Sequence, residues 1–194
     1  MSRRRQLLGY LRPIVYHSSF IATKMDFTRL FDILDYQQKR FPQTVAFAGR
    51  EGGIWRKWST SELIAGRDQL SAGLLAQGLR PGDRIGVLAH CGSPKWIVAD
   101  AAMLQLGMVP VPVHATARPD EIAHIFRDAG LRAFFVSNAD MLDKLLRADV
   151  APEHLFSFEP LPGTLHWDTL CRQPDAEQAE QIRHARDAVS DTDL

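Results

Sequence analysis

The chain has 194 residues, 45% apolar, 24% charged and 9% aromatic, an ordinary globular composition that excludes a disordered acidic or basic tail. Lysine plus arginine and aspartate plus glutamate each number 23, so the formal net charge is zero and the basic surplus of a dedicated nucleic-acid binder is missing. Two cysteines, Cys91 and Cys171, without a C-x-x-C exclude a disulfide scaffold and a cysteine-rich zinc module, and no stretch nears the ~20 uninterrupted apolar residues that span a membrane.

Charge is unevenly spread. Residues 1–25 carry Arg3, Arg4, Arg5, Arg12 and Lys24 and no acid, whereas the stretch from Arg172 onward is acidic. An Arg-rich, acid-free head suits an organelle transit peptide, but its apolar pieces are too short for a secretory signal. The helix pattern that opens at Met25 favours the other reading, a poorly ordered basic extension over 1–25 ahead of a folded domain over 26–194. Cytoplasmic localisation is the expectation.

Phe27, Leu30, Phe31 and Leu34 fall at helical spacing and predict an amphipathic helix over 27–40, ended at Phe41-Pro42. A β-type run over 44–48, a turn at Glu51-Gly52-Gly53 and a run over 54–58 predict a hairpin. Ser59 and Glu62 have capping-box spacing, with a helix 60–77 stopped by Gly78. Residues 84–89 form an apolar strand. Ser93-Pro94 reads as an N-cap followed by proline at N1 of a helix 94–105. Residues 109–113 are extended, and Pro110 and Pro112 place them at a sheet edge. A helix 118–128 ends at Gly130, residues 133–136 are a third apolar strand, Asn138 caps a helix to Arg147, and 155–158 are a fourth strand. Apolar strands separated by helices indicate an α/β fold of layered βαβ units, with a mainly parallel sheet plus the hairpin.

Motifs that carry chemistry are scarce. Neither G-x-G-x-x-G after a strand nor G-x-x-x-x-G-K-[ST] occurs, so both standard phosphate cradles are missing. Glu121 and His124 stand at i,i+3, as metal ligands can, but no second pair joins them and a solvated helix face is the better reading. His90-Cys91-Gly92-Ser93 follows a parallel strand and precedes a helix, where α/β proteins bind ligands. Adjacent His90 and Cys91 point apart and lack an orienting third group, so a structural thiol is favoured over a catalytic dyad. Trp55, Trp58, Trp96, Trp167, Phe134 and Phe135 read as core, not as a nucleic-acid platform.

Five segments in order resemble the N-terminal part of the adenylate-forming ligases, the acyl-CoA synthetase and AMP-binding superfamily. Trp58-Ser59-Thr60-Ser61-Glu62-Leu63 is similar to its T-Y-x-E-L motif, and Gly78 to Ile85 to its G-[LV]-x-x-G-D-x-[VI] turn and strand. Ser93-Pro94-Lys95-Trp96 resembles R-P-E-W, with Lys95 in place of glutamate. Gly107 to Pro112 resembles G-A-V-x-V-P, and Asp128-Ala129-Gly130 before Phe134 fits as well. Leu30 to Leu34, Gly53 to Trp55 and Pro112 to Thr116 are closest in style to long-chain fatty-acid–CoA ligases.

The resemblance implies ATP-dependent adenylation of a fatty acid, then thioester formation with CoA, with Mg²⁺ serving the nucleotide. The family's Gly/Ser/Thr-rich phosphate loop does not occur, and Ser190 to Leu194 looks like the start of its lead-in. The expectation is therefore a fragment truncated before that loop and inactive alone. No catalytic, cofactor-binding or metal residue carries over, and no cofactor is expected to bind this chain tightly. The alternative is a non-catalytic interaction module derived from the same family. With later family segments missing, the stripe Phe27, Leu30, Phe31 and Leu34 and the hairpin are expected to lack partners and to drive self-association or pairing with a complementing fragment.

Overall fold

The structure is a computed structural model and describes residues 27–51, 53–90 and 92–193; the basic head 1–25 and Cys91 lie outside them. In chain order the elements are α1 (Asp32–Arg40), β1 (Phe47–Glu51), β2 (Ile54–Trp58), α2 (Thr60–Ala76), β3 (Arg84–Ala89), α3 (Pro94–Gln105), β4 (Val109–His114), α4 (Pro119–Ala129), β5 (Ala133–Val136), α5 (Ala139–Arg147), β6 (His154–Ser157), β7 (Leu165–His166), α6 (Trp167–Leu170) and α7 (Ala176–Ala188). Strands β3 to β7 form one wholly parallel sheet in the order β4-β3-β5-β6-β7, and β1 and β2 form an antiparallel pair. This is the α/β architecture the sequence predicts, with the proline-bearing β4 at an edge.

Alternation along the strands builds two cores. Ile85, Val87, Ala133, Phe135 and Phe156 face a layer containing Leu63, Leu70, Leu74, Val98 and Ile182, from α2, α3 and α7. Leu88, Phe134 and Val136 face the other way, onto Ile122, Met141, Leu142 and Leu145 of α4 and α5. Helices thus cover both faces, as a sheet of near-continuous apolar strands requires. Backbones approach closely at two glycines. A Cβ on Gly86 would lie 2.3 Å from the Phe134 ring, and one on Gly73 of α2 would lie 2.0 Å from the Leu170 carbonyl oxygen of α6.

Four local expectations need correction. The first helix begins at Asp32, because residues 29–33 form i,i+3 turns and Arg29 is drawn toward α7. Phe31 and Leu34 are consequently buried within this chain while Leu30 is 70% exposed, so the four residues do not share one unpartnered stripe. The first hairpin strand runs over Phe47–Glu51, not 44–48, because Glu51 pairs directly with Ile54 and only two residues join the strands, Gly53 at φ +81°. Trp55 is 64% exposed on the outer strand, unlike buried Trp58 and Trp167. Ser93 holds the N-cap position of α3, but its hydroxyl makes no cap bond.

A charged clasp ties the two ends of the described chain together. Arg67 of α2 is 2% exposed, and its guanidinium donates to Asp35 at 2.7 Å and Asp68 at 2.9 Å. Arg186 of α7 donates to Asp35 at 2.6 Å and Asp32 at 2.8 Å. Arg29 donates to Asp32 and caps α7 through the carbonyls of Arg186 and Val189. The Arg29 and Arg186 guanidiniums both lie over the Phe31 ring, 4.6 and 5.3 Å from its centroid. Burial alone would raise the Asp32 and Asp35 carboxyls, but the arginine hydrogen bonds and charges outweigh it and hold both below the ordinary range.

Both carboxyl pKa values are lowered by folding, so the clasp's contribution is complete above the unfolded-state pKa and is lost as pH falls through the folded one. Arg67→Ala, which removes the buried cation joining Asp35 to Asp68 while both carboxylates keep another donor and partial access to water, is expected to destabilise by about 1.5–3 kcal/mol. Arg183→Ala, which breaks the exposed, water-screened pair with Glu180, is expected to shift the urea midpoint far less. Similar urea midpoints for the two variants would contradict this account.

The capping box at Ser59 is formed in full. Its hydroxyl accepts from the Glu62 N–H at 3.2 Å, and the Glu62 carboxylate accepts from the Ser59 N–H at 2.7 Å. Ser59→Ala is expected to cost about 0.5–2 kcal/mol, and Ser61→Ala, inside the first turn, clearly less. Equal shifts in urea midpoint would rule out the cap.

Candidate functional site

The strand order fixes where a ligand site can open. From β3 the chain moves to β4 on one side, then crosses back to place β5, β6 and β7 on the other. The loops that follow β3 and β5 therefore diverge at the carboxyl ends of neighbouring strands, the position at which doubly wound sheets form a ligand crevice. A crevice of about 640 Å³ lies there, lined by Arg50, His90, Gly92, Ser93, Lys95, Ser137, Asn138, Phe158, Glu159, Pro160, His166 and Asp168.

Each contributor is placed by its element. Arg50 reaches in from β1, next to Gly49, where a Cβ would lie 2.5 Å from the Pro94 ring; this contact seats the hairpin against α3. His90 and Ser93 come from the loop between β3 and α3, in which Gly92 turns the chain at φ +91°. Ser137 and Asn138 follow β5. The Asn138 side chain accepts from Met141 N–H at 3.1 Å and so caps α5 as predicted, while the buried Ser137 Oγ has no hydrogen-bond partner among the described residues. Lys95 is committed to the wall: its Nζ donates to the Phe158 carbonyl at 2.8 Å and lies 5.8 Å from the Trp167 ring centroid. The Ser157 and Thr164 hydroxyls, 2.6 Å apart, tie the loop between β6 and β7 into the same rim.

His90 lies in the crevice, where the strand-to-helix position placed it, whereas Ser137, Glu159 and His166 carried no recognisable sequence motif. Glu121 and His124 are both exposed on α4, and the Glu121 carboxylate is used locally, accepting the Arg118 N–H at 2.8 Å. Cys171 is far from a reactive thiol. Burial, reinforced by the Asp168 charge, pushes it up to about 12, against a smaller opposing effect of Lys95.

The AMP-binding enzyme family matches residues 34–190. The chain belongs to this family. Among curated relatives, the Arabidopsis thaliana peroxisomal long chain acyl-CoA synthetase 7 is 34% identical over 79 residues, 40% of this chain and 11% of the relative. The Mus musculus mitochondrial medium-chain acyl-CoA ligase ACSF2 is 29% identical over 179 residues, 81% of this chain and 29% of the relative. The chain thus spans less than a third of the length of either. The crystal structure of the anthranilate CoA ligase AuaEII in complex with anthranoyl-AMP superposes with a TM-score of 0.62 at 19% identity, covering 80% of this chain and 27% of that one. At that identity the likeness establishes the fold.

AMP-binding enzymes work on ATP, so the crevice can be tested against a triphosphate. Such a group needs converging cations and N–H donors. Here Arg50 enters from the hairpin side alone, Lys95 is already bound to a carbonyl, Pro94 removes one N–H from the first turn of α3, and Glu159 and Asp168 add negative charge to the same crevice. Among the described residues no three ligands gather that could hold a metal ion. The described residues do not by themselves gather the donors that Mg²⁺ and a nucleoside triphosphate need.

Burial pushes the Cys171 thiol up to about 12, so it stays overwhelmingly the unreactive thiol near neutral pH. In peptide mapping after alkylation, half-buried Cys171 is expected to label slowly in native protein and rapidly and fully in urea-unfolded protein. Equal labelling rates in the two states would contradict its burial.

Proposed function

We propose that this chain is the leading section of the N-terminal domain of an ATP-dependent fatty-acid–CoA ligase of long-chain type. The observation that carries the reading is the family match over residues 34–190. The ordered segments from Trp58 to Phe134 and the acyl-CoA ligase names of both relatives support it. The proposed reaction joins a carboxylate to ATP as an acyl-adenylate with release of pyrophosphate. The CoA thiol then displaces AMP, with Mg²⁺ neutralising the phosphates.

In this reading the chain's own residues build the rigid floor of the site. The parallel sheet fixes the crevice, the seated hairpin closes one side, and the Lys95 tie to Phe158 closes another. Phosphate contacts belong to the family's Gly/Ser/Thr-rich loop, which is not among these 194 residues. We therefore propose that the domain is partial over 26–194, that the chain is inactive alone, and that a complementing polypeptide or a second copy covers the exposed Ile54 and Trp55 of the hairpin. The cytoplasm is the proposed compartment; among the described residues no helix is long and apolar enough to cross a membrane.

The isolated chain is expected to form no acyl-AMP from ATP and palmitate, because each missing preorganised donor is worth about 3–4 kcal/mol of transition-state stabilisation. Detection of acyl-AMP would overturn the assignment of the phosphate contacts to other segments. Joined to a loop-bearing remainder of the family domain, the chain is expected to support ATP–pyrophosphate exchange that depends on fatty acid. A joined protein that exchanges with no carboxylate would sink the ligase reading itself.

A further inference from the structure

Large apolar side chains left in water are not spread evenly. Among the described residues, all but Leu146 fall between Leu30 and Trp55. α1 carries part of this set for a geometric reason. Its inward residue Leu34 joins the core, and its acids Asp32 and Asp35 are engaged by Arg29, Arg67 and Arg186. Ile33, Tyr36 and Arg40, at i, i+3 and i+7, share the opposite face. There the Tyr36 ring centroid stands 5.2 Å from that of Phe27 and 5.7 Å from that of Phe41, and the Arg40 guanidinium lies 5.9 Å from Tyr36. Leu30 is 70% and Phe41 52% exposed at the two ends. The rings and aliphatic groups thus form a ridge on the outside of the molecule. Its acids point inward, and its outer charges, Lys39 and Arg40, are positive.

The sequence just ahead of the ridge selects the surface it suits. Residues 1–25 carry Arg3, Arg4, Arg5, Arg12 and Lys24 and no acid, and only Asp26 separates them from Phe27. Because the whole chain is neutral, this surplus of cations is balanced by an equal acidic surplus in the remainder. Positive charge is therefore gathered where the apolar ridge begins. Tethered cations beside aromatic and aliphatic groups are the two signals that together hold a protein on an anionic bilayer. The cations are drawn to the headgroups, and the rings and aliphatic groups enter the boundary between headgroups and acyl chains. A nucleic acid would use the cations and leave Leu30 and Ile33 in water. An apolar protein groove would use the ridge and leave the cations without a partner.

We propose that the basic head and the outer face of α1 form a docking surface for an anionic lipid bilayer. Phe27, Leu30, Ile33 and Phe41 meet the headgroup–acyl boundary, and the cations of residues 1–25, with Lys39 and Arg40, meet the headgroups. The attachment is peripheral and reversible. It uses neither the crevice nor the ligase reading.

Cosedimentation of the full 194-residue chain with lipid vesicles tests it, using phosphatidylcholine alone and phosphatidylcholine mixed with phosphatidylglycerol. Binding to the mixed vesicles is expected, with none to the neutral ones and loss of binding in about 0.5 M salt. Arg3→Gln, Arg4→Gln and Arg5→Gln together should weaken binding about 100-fold, at about fivefold for each charge. Leu30→Ser with Phe41→Ser should weaken it about tenfold and leave the urea midpoint near that of the wild type, since both side chains lie outside the core. Ile33→Ser, 43% exposed, should weaken it about threefold and supplies the answer if the serine pair disturbs the fold. Equal binding to neutral and anionic vesicles would remove the role of charge and overturn the proposal. So would wild-type affinity in the serine variants, which would remove the ridge. Absence of vesicle binding, or tighter binding to duplex DNA than to the mixed vesicles, would likewise overturn it.

Discussion

Arg67 places a guanidinium beneath the helical layer with almost no access to water, and much of the architecture follows from keeping that charge satisfied. Burial of an unpaired cation is prohibitive, so carboxylates must be delivered to it. Asp68 comes from the next position on α2, but Asp35 must come from another helix, and Arg186 then balances Asp35 together with Asp32. α1 is thereby fixed on α2, and α7 on both. The amide of Gln105 extends the arrangement to α3 by donating to Asp68 at 3.1 Å and to Ser71 at 2.7 Å. One charge thus helps orient four helices, three of which cover the same face of the sheet.

The crevice depends on that layer indirectly. Its position comes from the reversal of strand order between β4 and β5 about β3, but its shape comes from what α3 and the hairpin do at its rim. α3 is held between α2 and the sheet, with Val98, Ala99, Ala102 and Met103 buried. Its first residue, Pro94, is the surface on which Gly49 rests. A side chain at Gly49 would push the hairpin away and carry off Arg50, which lines the crevice, and Phe47, which lines the apolar space beside α3. Glycine at that position is a requirement of the site as much as of the hairpin.

What the sequence makes legible is what local forces decide. The Ser59–Glu62 box, the Asn138 cap, the stop at Gly130 with φ +60° and the apolar runs of β3 and β5 are written within a few neighbouring residues. β7 has two residues, too few for any periodicity to register. α7 buries only Ile182, so its amphipathic signal is weak, although the Asp175–Gln178 box that begins it is a readable start signal. The clasp joins arginines and aspartates that in the sequence resemble any solvated charges, and nothing local distinguishes Arg67 from Arg183. The crevice was legible only at His90 to Ser93, because a loop after a parallel strand marks one lip. The other lip, Ser137 and Asn138, becomes its neighbour only through the strand order, which hydrophobic patterning does not determine.

The clasp also sets an order of events during synthesis. Arg29 and the Arg186 carbonyl that it holds are 157 residues apart. At about 5–20 residues per second that separation is roughly 8–30 s of ribosome time. Through that interval the strands from Arg84 to His166 can pair as they emerge, each beside a partner already made or soon to follow. α1 can dock on α2 early through Asp35 and Arg67, but Phe31 and Asp32 gain their second guanidinium only when Arg186 emerges. Among the described helices, α7 therefore completes the seating of α1, the first of them to be made.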